Sequence, residues 1–149
     1  MINRPNTPQI LRDLAEELNR EIMPLLNDST DQIRLFMITA VLGQCAVRAD
    51  KEIAMMKQET DAYLTFAGEV ADATHDANLA AAIAQVHPSD DLHLETVSAE
   101  YVRASEAFGV ALEVAMDAGD EALVARGEEL LQTRISHEQM MAGVASAGR

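Results

Sequence analysis

Four histidines, His75, His87, His93 and His137, are the residues of this chain best suited to carry chemistry. Two follow an aspartate at a spacing of three, as Asp72-x-x-His75 and Asp90-x-x-His93. Residues three apart share a helix face and can converge on one ion. Helical bundles hold paired metals with Glu-x-x-His motifs on two helices and single glutamates on two others. Here both acids are aspartates, which reach less far than glutamates, and apolar residues dominate every seam, leaving no glutamate placed to be buried. Asp90 and Asp91 stand at a helix start and read as N-cap residues. No metal ligand is therefore assigned.

Ser136-His137-Glu138 has the residue types of a hydrolytic triad. Helical neighbours point about 100° apart and cannot bond in series as a triad does. No serine lies in a G-x-S-x-G turn. Cys45 sits in an apolar stretch with Arg48 three residues on, and a buried, inert thiol is expected. The seven glycines, at 43, 68, 109, 119, 127, 143 and 148, form no phosphate-cradling loop. No catalytic, cofactor-binding or metal-ligating residue is expected. The pairs Met55-Met56 and Met140-Met141 read as gap-filling core residues, with one of each pair available to an exposed patch.

The elements that would position these residues are helical. Thr7 as N-cap with Pro8 behind it opens a first helix. Its stripe is Leu11, Leu14, Leu18, Ile22 and Leu25, and Pro24 ends or kinks it. After the Asn27-Asp28-Ser29 turn, a second helix starts at Ser29 or Thr30, with Gln32 as a possible capping-box partner, and runs to about Glu59. Its apolar middle, Leu35 to Val41, is expected at the centre of a bundle. A third helix runs from Thr60 or Asp61 to Val86 with a break near 75–78. His87-Pro88-Ser89-Asp90-Asp91 is a loop. A fourth helix begins near Asp91, with a seam of Leu94, Val97, Tyr101, Ser105, Phe108, Leu112 and Ala115. Gly119 caps it. A fifth follows through Leu123, Gly127, Leu130, Arg134 or Ile135, Met141 and Val144. Gly127 lets a neighbouring helix approach closely, and residues after Ala145 are expected to fray. Helices four and five form an antiparallel hairpin, and so do one and two. The fold class is all-α, a single-domain (1–149) bundle of four to five mostly antiparallel helices.

Composition agrees. The 149 residues are 48% hydrophobic but only 3% aromatic, without tryptophan, so Leu, Ile, Val, Met and Ala must build the core. One cysteine excludes a disulfide scaffold. The N-terminus lacks the pattern of a signal peptide, and the longest apolar run falls short of the roughly 18 to 20 residues of a spanning helix. A cytoplasmic location is expected. The net charge of −14 is uneven: residues 58–125 hold 14 acidic residues and one basic, Arg103, whereas residues 1–57 hold 8 acidic and 7 basic. Such a surface repels phosphate backbones and anionic membranes, so neither nucleic acid nor membrane is an expected partner. It is a solvated face for solubility, or one that steers a basic partner.

Arg4-Pro5, then Leu11, Leu18 and Ile22 before Met23-Pro24-Leu25, followed by the apolar helix to Arg48, is similar to a family of short bacterial helical domains of unknown function. The likeness covers about residues 4–52. It implies an accessory role beside kinase-like phosphotransferases and acyl-CoA dehydrogenases, and no functional residue. The expectation is a non-enzymatic interaction module that homodimerises or attaches to a larger enzyme. The alternative is a bundle that binds a small molecule or metal, with an enzymatic role. Polar residues converging inside the bundle would mark the second.

Overall fold

In a computed structural model the described residues, 4–143, form five α-helices and no strand. They are α1 (Thr7–Glu17), α2 (Ser29–Thr74), α3 (Ala77–Ala84), α4 (Leu94–Ala118) and α5 (Glu121–Met141). The all-α bundle class expected from the pattern is what the chain adopts. Val144 and the residues after Ala145 lie outside the described residues. No helix among those described is long and apolar enough to cross a membrane.

The caps follow local chemistry. Asn6, rather than Thr7, caps α1, its Oδ1 accepting from the Gln9 N–H at 3.0 Å. Beyond Glu17 the chain runs through a π turn (Leu18–Ile22) and a 3-10 turn (Met23–Leu25). Pro24 cannot donate into an α-helical ladder, and the helix stops there. Asp28 starts α2, its Oδ1 accepting from the Thr30 and Asp31 N–H groups. Gln32 donates instead to the Leu26 carbonyl, so no capping box forms.

Helix α2 continues to Thr74, correcting the expected boundary at Glu59–Asp61. Thr60 and Asp61 are good cap types, but no Gly or Pro forces a stop, and Glu59, Thr60 and Tyr63 are all buried by the continuing helix. The break falls at His75, with φ 54°, and Asp76 caps α3 by accepting from the Leu79 N–H. Helix α4 begins three residues later than expected, because Asp91 turns back to accept from the His93 N–H and the Thr96 hydroxyl.

By contact the chain divides into two compact units. Residues 53–137 form a bundle around Tyr63, Phe66, Val70, Leu79 and Phe108, with Ala67, Ala104, Ala107, Ala111 and Ala115 completing the core. The pairs Glu59–Tyr101 and Lys57–Glu100 set α2 beside α4 in parallel, whereas Glu59–His137 and Glu69–Arg126 set α2 against α5 antiparallel. The buried stripe of α4 keeps Val97, Phe108 and Ala115 of the expected seam and departs from it at the other positions. Leu94 is exposed and Tyr101, Ser105 and Leu112 are half-buried, while the alanines at 104, 107, 111 and 115 are fully buried. Small residues let backbones approach, so the stripe follows them.

The other unit, residues 4–52 with 138–143, buries little: Pro8, Leu35, Thr39 and Ala46. Thr39 bonds Asn19, and the Gln44 amide donates to the Ala142 carbonyl at 2.9 Å. The expected α1 stripe is mostly uncovered, with Leu14, Ile22 and Leu25 exposed.

Gly127 meets the close approach expected of it. A Cβ there would lie 2.2 Å from Leu112 Cδ2 and 3.2 Å from Phe66 Cζ, whereas Cβ atoms at Gly68 or Gly109 would meet nothing within 4 Å. Overpacking costs about 1–3 kcal/mol and the gain in helix propensity is about 1 kcal/mol. Gly127→Ala is therefore expected to lower the urea midpoint, with Gly68→Ala and Gly109→Ala each raising it by about 0.5–1 kcal/mol equivalent.

Candidate functional site

Two features stand out, one in each unit. The first is a carboxylate inside the 53–137 bundle. Glu59 is only 6% exposed, contrary to the expectation that no glutamate is buried. Three polar partners reach it. Tyr63, one turn on in α2, donates to Oε2 at 3.1 Å, and Tyr101 of α4 donates to the same oxygen at 2.8 Å. His137 of α5 pairs its Nδ1 with Oε1 at 2.5 Å, a contact in which the ring donates when Nδ1 carries the proton. An isolated buried carboxylate costs several kcal/mol, and these bonds offset that cost.

A second buried charge lies alongside. Lys57 Nζ donates to both oxygens of Glu100 at 3.2 Å and to the Ser89 carbonyl at 2.9 Å. The pair joins α2 to α4 and to the loop before it. Above the carboxylate, Tyr63 stacks on Phe108 with centroids 4.4 Å apart, and Phe66 meets the same ring edge-on at 5.5 Å.

Burial pushes the phenol of Tyr63 far up, with Glu59 adding to the effect. Tyr101 is raised for the same first reason, then by its bond to Glu59. Both therefore stay neutral and donate. On the surface, the Asp91 carboxyl is held at about 2, chiefly by the His93 ring and then by the His93 N–H, and His93 is raised in return. That pair shapes the α4 start.

The residues singled out by sequence are dispersed. His75, His87 and His93 are exposed, and Asp72 and His75 do not share a helix face because His75 lies beyond the end of α2. Among the described residues no three His, Cys, Asp or Glu side chains are placed to hold a metal ion. Ser136 donates to the Gln132 carbonyl of its own helix, so it does not join His137. The interior is thus not free of poised polar groups, as expected from the apolar seams: Glu59, Tyr63, Tyr101 and His137 converge there. The Glu59-x-x-x-Tyr63 spacing was the one local signal of this cluster.

The second feature is the first half of α2. Leu35 to Val41 is not at the centre of a bundle: Phe36 is 65% and Met37 61% exposed, and Ile33, Ile38 and Val41 are each more than half exposed. Ile33, Met37 and Val41 repeat every four residues on one face, opposite the buried Leu35, Thr39 and Ala46. A shallow groove is lined by Met37, Ile38, Val41 and Leu42. Cys45 is also exposed rather than buried, because Ala46 takes the inward position of that turn. Of the Met pairs, Met140 is exposed, while Met55 and Met56 are both half-buried.

No family model, curated protein or solved structure matches the chain.

The two tyrosines set an alkaline limit. Their folded values lie above the roughly 10 of an unfolded tyrosine. Their contribution is whole below pH ~10 and is lost as pH rises from there toward the folded values. A Tyr63→Phe, Tyr101→Phe protein should show a flatter fall in stability above pH ~10, and about 1.5–3 kcal/mol less stability per lost bond at neutral pH, by urea unfolding. Lys57→Met leaves Glu100 buried without its cation, and a loss of about 3–5 kcal/mol is expected in the same measurement.

Proposed function

We propose that this protein is a non-enzymatic helical interaction module acting in the cytoplasm, and that α1 and the first half of α2 form its association surface. The observation that carries the reading is the exposure of Ile33, Phe36, Met37, Ile38 and Val41 in and beside the stretch of α2, Leu35 to Val41, that is apolar almost all round. Soluble monomers rarely expose contiguous apolar patches beyond a few hundred Å² unless the patch binds something.

The buried cluster favours a second reading, a bundle that binds a small molecule. It ranks behind the first because both Glu59 oxygens are already occupied by polar groups of the protein itself. A thermal shift with a cationic or hydroxylated ligand, absent in Glu59→Gln, would bring it forward.

Cys45, the only cysteine, lies one turn beyond Val41 and is open to solvent. A photo-crosslinker attached there should yield one dominant adduct, with a copy of the chain or with another protein, in source-cell extract. Met37→Glu with Val41→Glu should abolish it. A labelled chain that forms no adduct and sediments as a monomer defeats the proposal.

A further inference from the structure

We infer that the occupant of the apolar α1–α2 face is a second copy of this chain, which rests on the interaction-module reading and gives it a partner. Area is the first argument. Nine large apolar residues between Ile10 and Val41 remain exposed, Leu25 the most at 70%. At roughly 100 Å² each they offer about 900 Å², close to the ~800 Å² that each partner brings to a standard stable interface.

Charge is the second. Between Ser29 and Cys45 there is one acid, Asp31, and one base, Arg34, and they bond to each other at 3.0 Å. That stretch of α2 is therefore neutral on a chain of net charge −14, and the charges nearby lie on α1 and the turn after it. A two-fold interface sets a patch against itself, so any unpaired charge in it would meet its like. The α2 stretch from Ser29 to Cys45 has none to meet. A basic partner would instead be drawn to residues 58–125, which hold the acidic excess.

Shape is the third. Ile33, Met37 and Val41 form an i±4 ridge, and the groove between Met37, Ile38, Val41 and Leu42 runs beside it. Ridges of this spacing interdigitate with the grooves of an identical helix, the commonest packing of helix on helix. One stretch of α2 thus carries both halves of a self-complementary contact.

Sedimentation equilibrium and native mass spectrometry of the full chain test this. At roughly 100 µM, above the µM end of the range for interfaces of this size, the chain should run at twice 16.2 kDa. Mixing unlabelled and ¹⁵N-labelled chain should give a mixed dimer. High salt should leave the dimer intact, since apolar contact is not screened. Met37→Glu with Val41→Glu should raise the dissociation constant about 100-fold or more with helicity unchanged, and Met37→Gln, the milder change, about tenfold.

A wild-type mass of 16.2 kDa at that concentration overturns the inference. So does a dimer that dissociates in high salt, or one that both variants leave at wild-type affinity. If the double variant does not fold, Met37→Gln decides. A monomer whose Cys45 still crosslinks to a different protein overturns the second copy alone, and a monomer that crosslinks to nothing overturns the interaction module with it.

Discussion

The carboxylate of Glu59 is the constraint on which the 53–137 bundle turns. A carboxyl group at that depth is tolerated only where polar partners converge on it, and here they come from α2 itself, from α4 and from α5. Advancing α4 or α5 by one residue would swing its partner through about 100° and remove one bond from the carboxylate. The alanine faces around it impose no such demand. Ala104, Ala107, Ala111 and Ala115 present a nearly smooth surface, against which a neighbouring helix could settle in more than one register. Close packing supplies the attraction in this unit, and Glu59 and the Lys57–Glu100 pair select which packing is adopted.

The chain's punctuation was legible in its sequence. The Asn27–Ser29 turn, the break after His75, the loop from His87 and the Gly119–Asp120 turn all rest on residues whose local chemistry dictates a cap or a stop. Asp120 accepts from the N–H groups of Ala122 and Leu123 as such a residue should. Legibility failed where tertiary burial outweighed local preference. Glu59-Thr60-Asp61 resembles a helix start, yet the helix continues because its next turn is core. On α4 the bundle closes on Val97, Phe108 and Ala115 as the pattern implies, but on Ala104, Ala107 and Ala111 rather than on Tyr101, Ser105 and Leu112.

The polar cluster was hidden for a related reason. Tyr101 lies 42 residues from Glu59 and His137 lies 78, separations over which spacing carries no information. His137 stood out in sequence through its neighbours Ser136 and Glu138, but helical geometry aims those elsewhere, and its carboxylate partner is Glu59. Cys45 shows the limit from the other side. An apolar neighbourhood in sequence implied burial, but on a helix apolar on every side only one face can be covered by its own chain.

That ambiguity is general, because hydropathy reports a preference to leave water and not what does the covering. Four of the five aromatic residues, Tyr63, Phe66, Tyr101 and Phe108, gather within residues 53–137. The fifth, Phe36, is exposed on the first half of α2 among Ile33, Met37 and Ile38. Each such side chain gains about 1.5–3 kcal/mol on full burial, so leaving several in water is a standing drive toward association. The same chain holds its acidic excess in residues 58–125 and almost none in residues 1–57. Net charge of this size opposes aggregation of a chain with exposed apolar residues, and the neutral stretch 29–45 adds nothing to that repulsion. The uneven charge and the uneven burial are thus two aspects of one arrangement, in which the part of the chain that repels and the part that attracts are kept apart along the sequence.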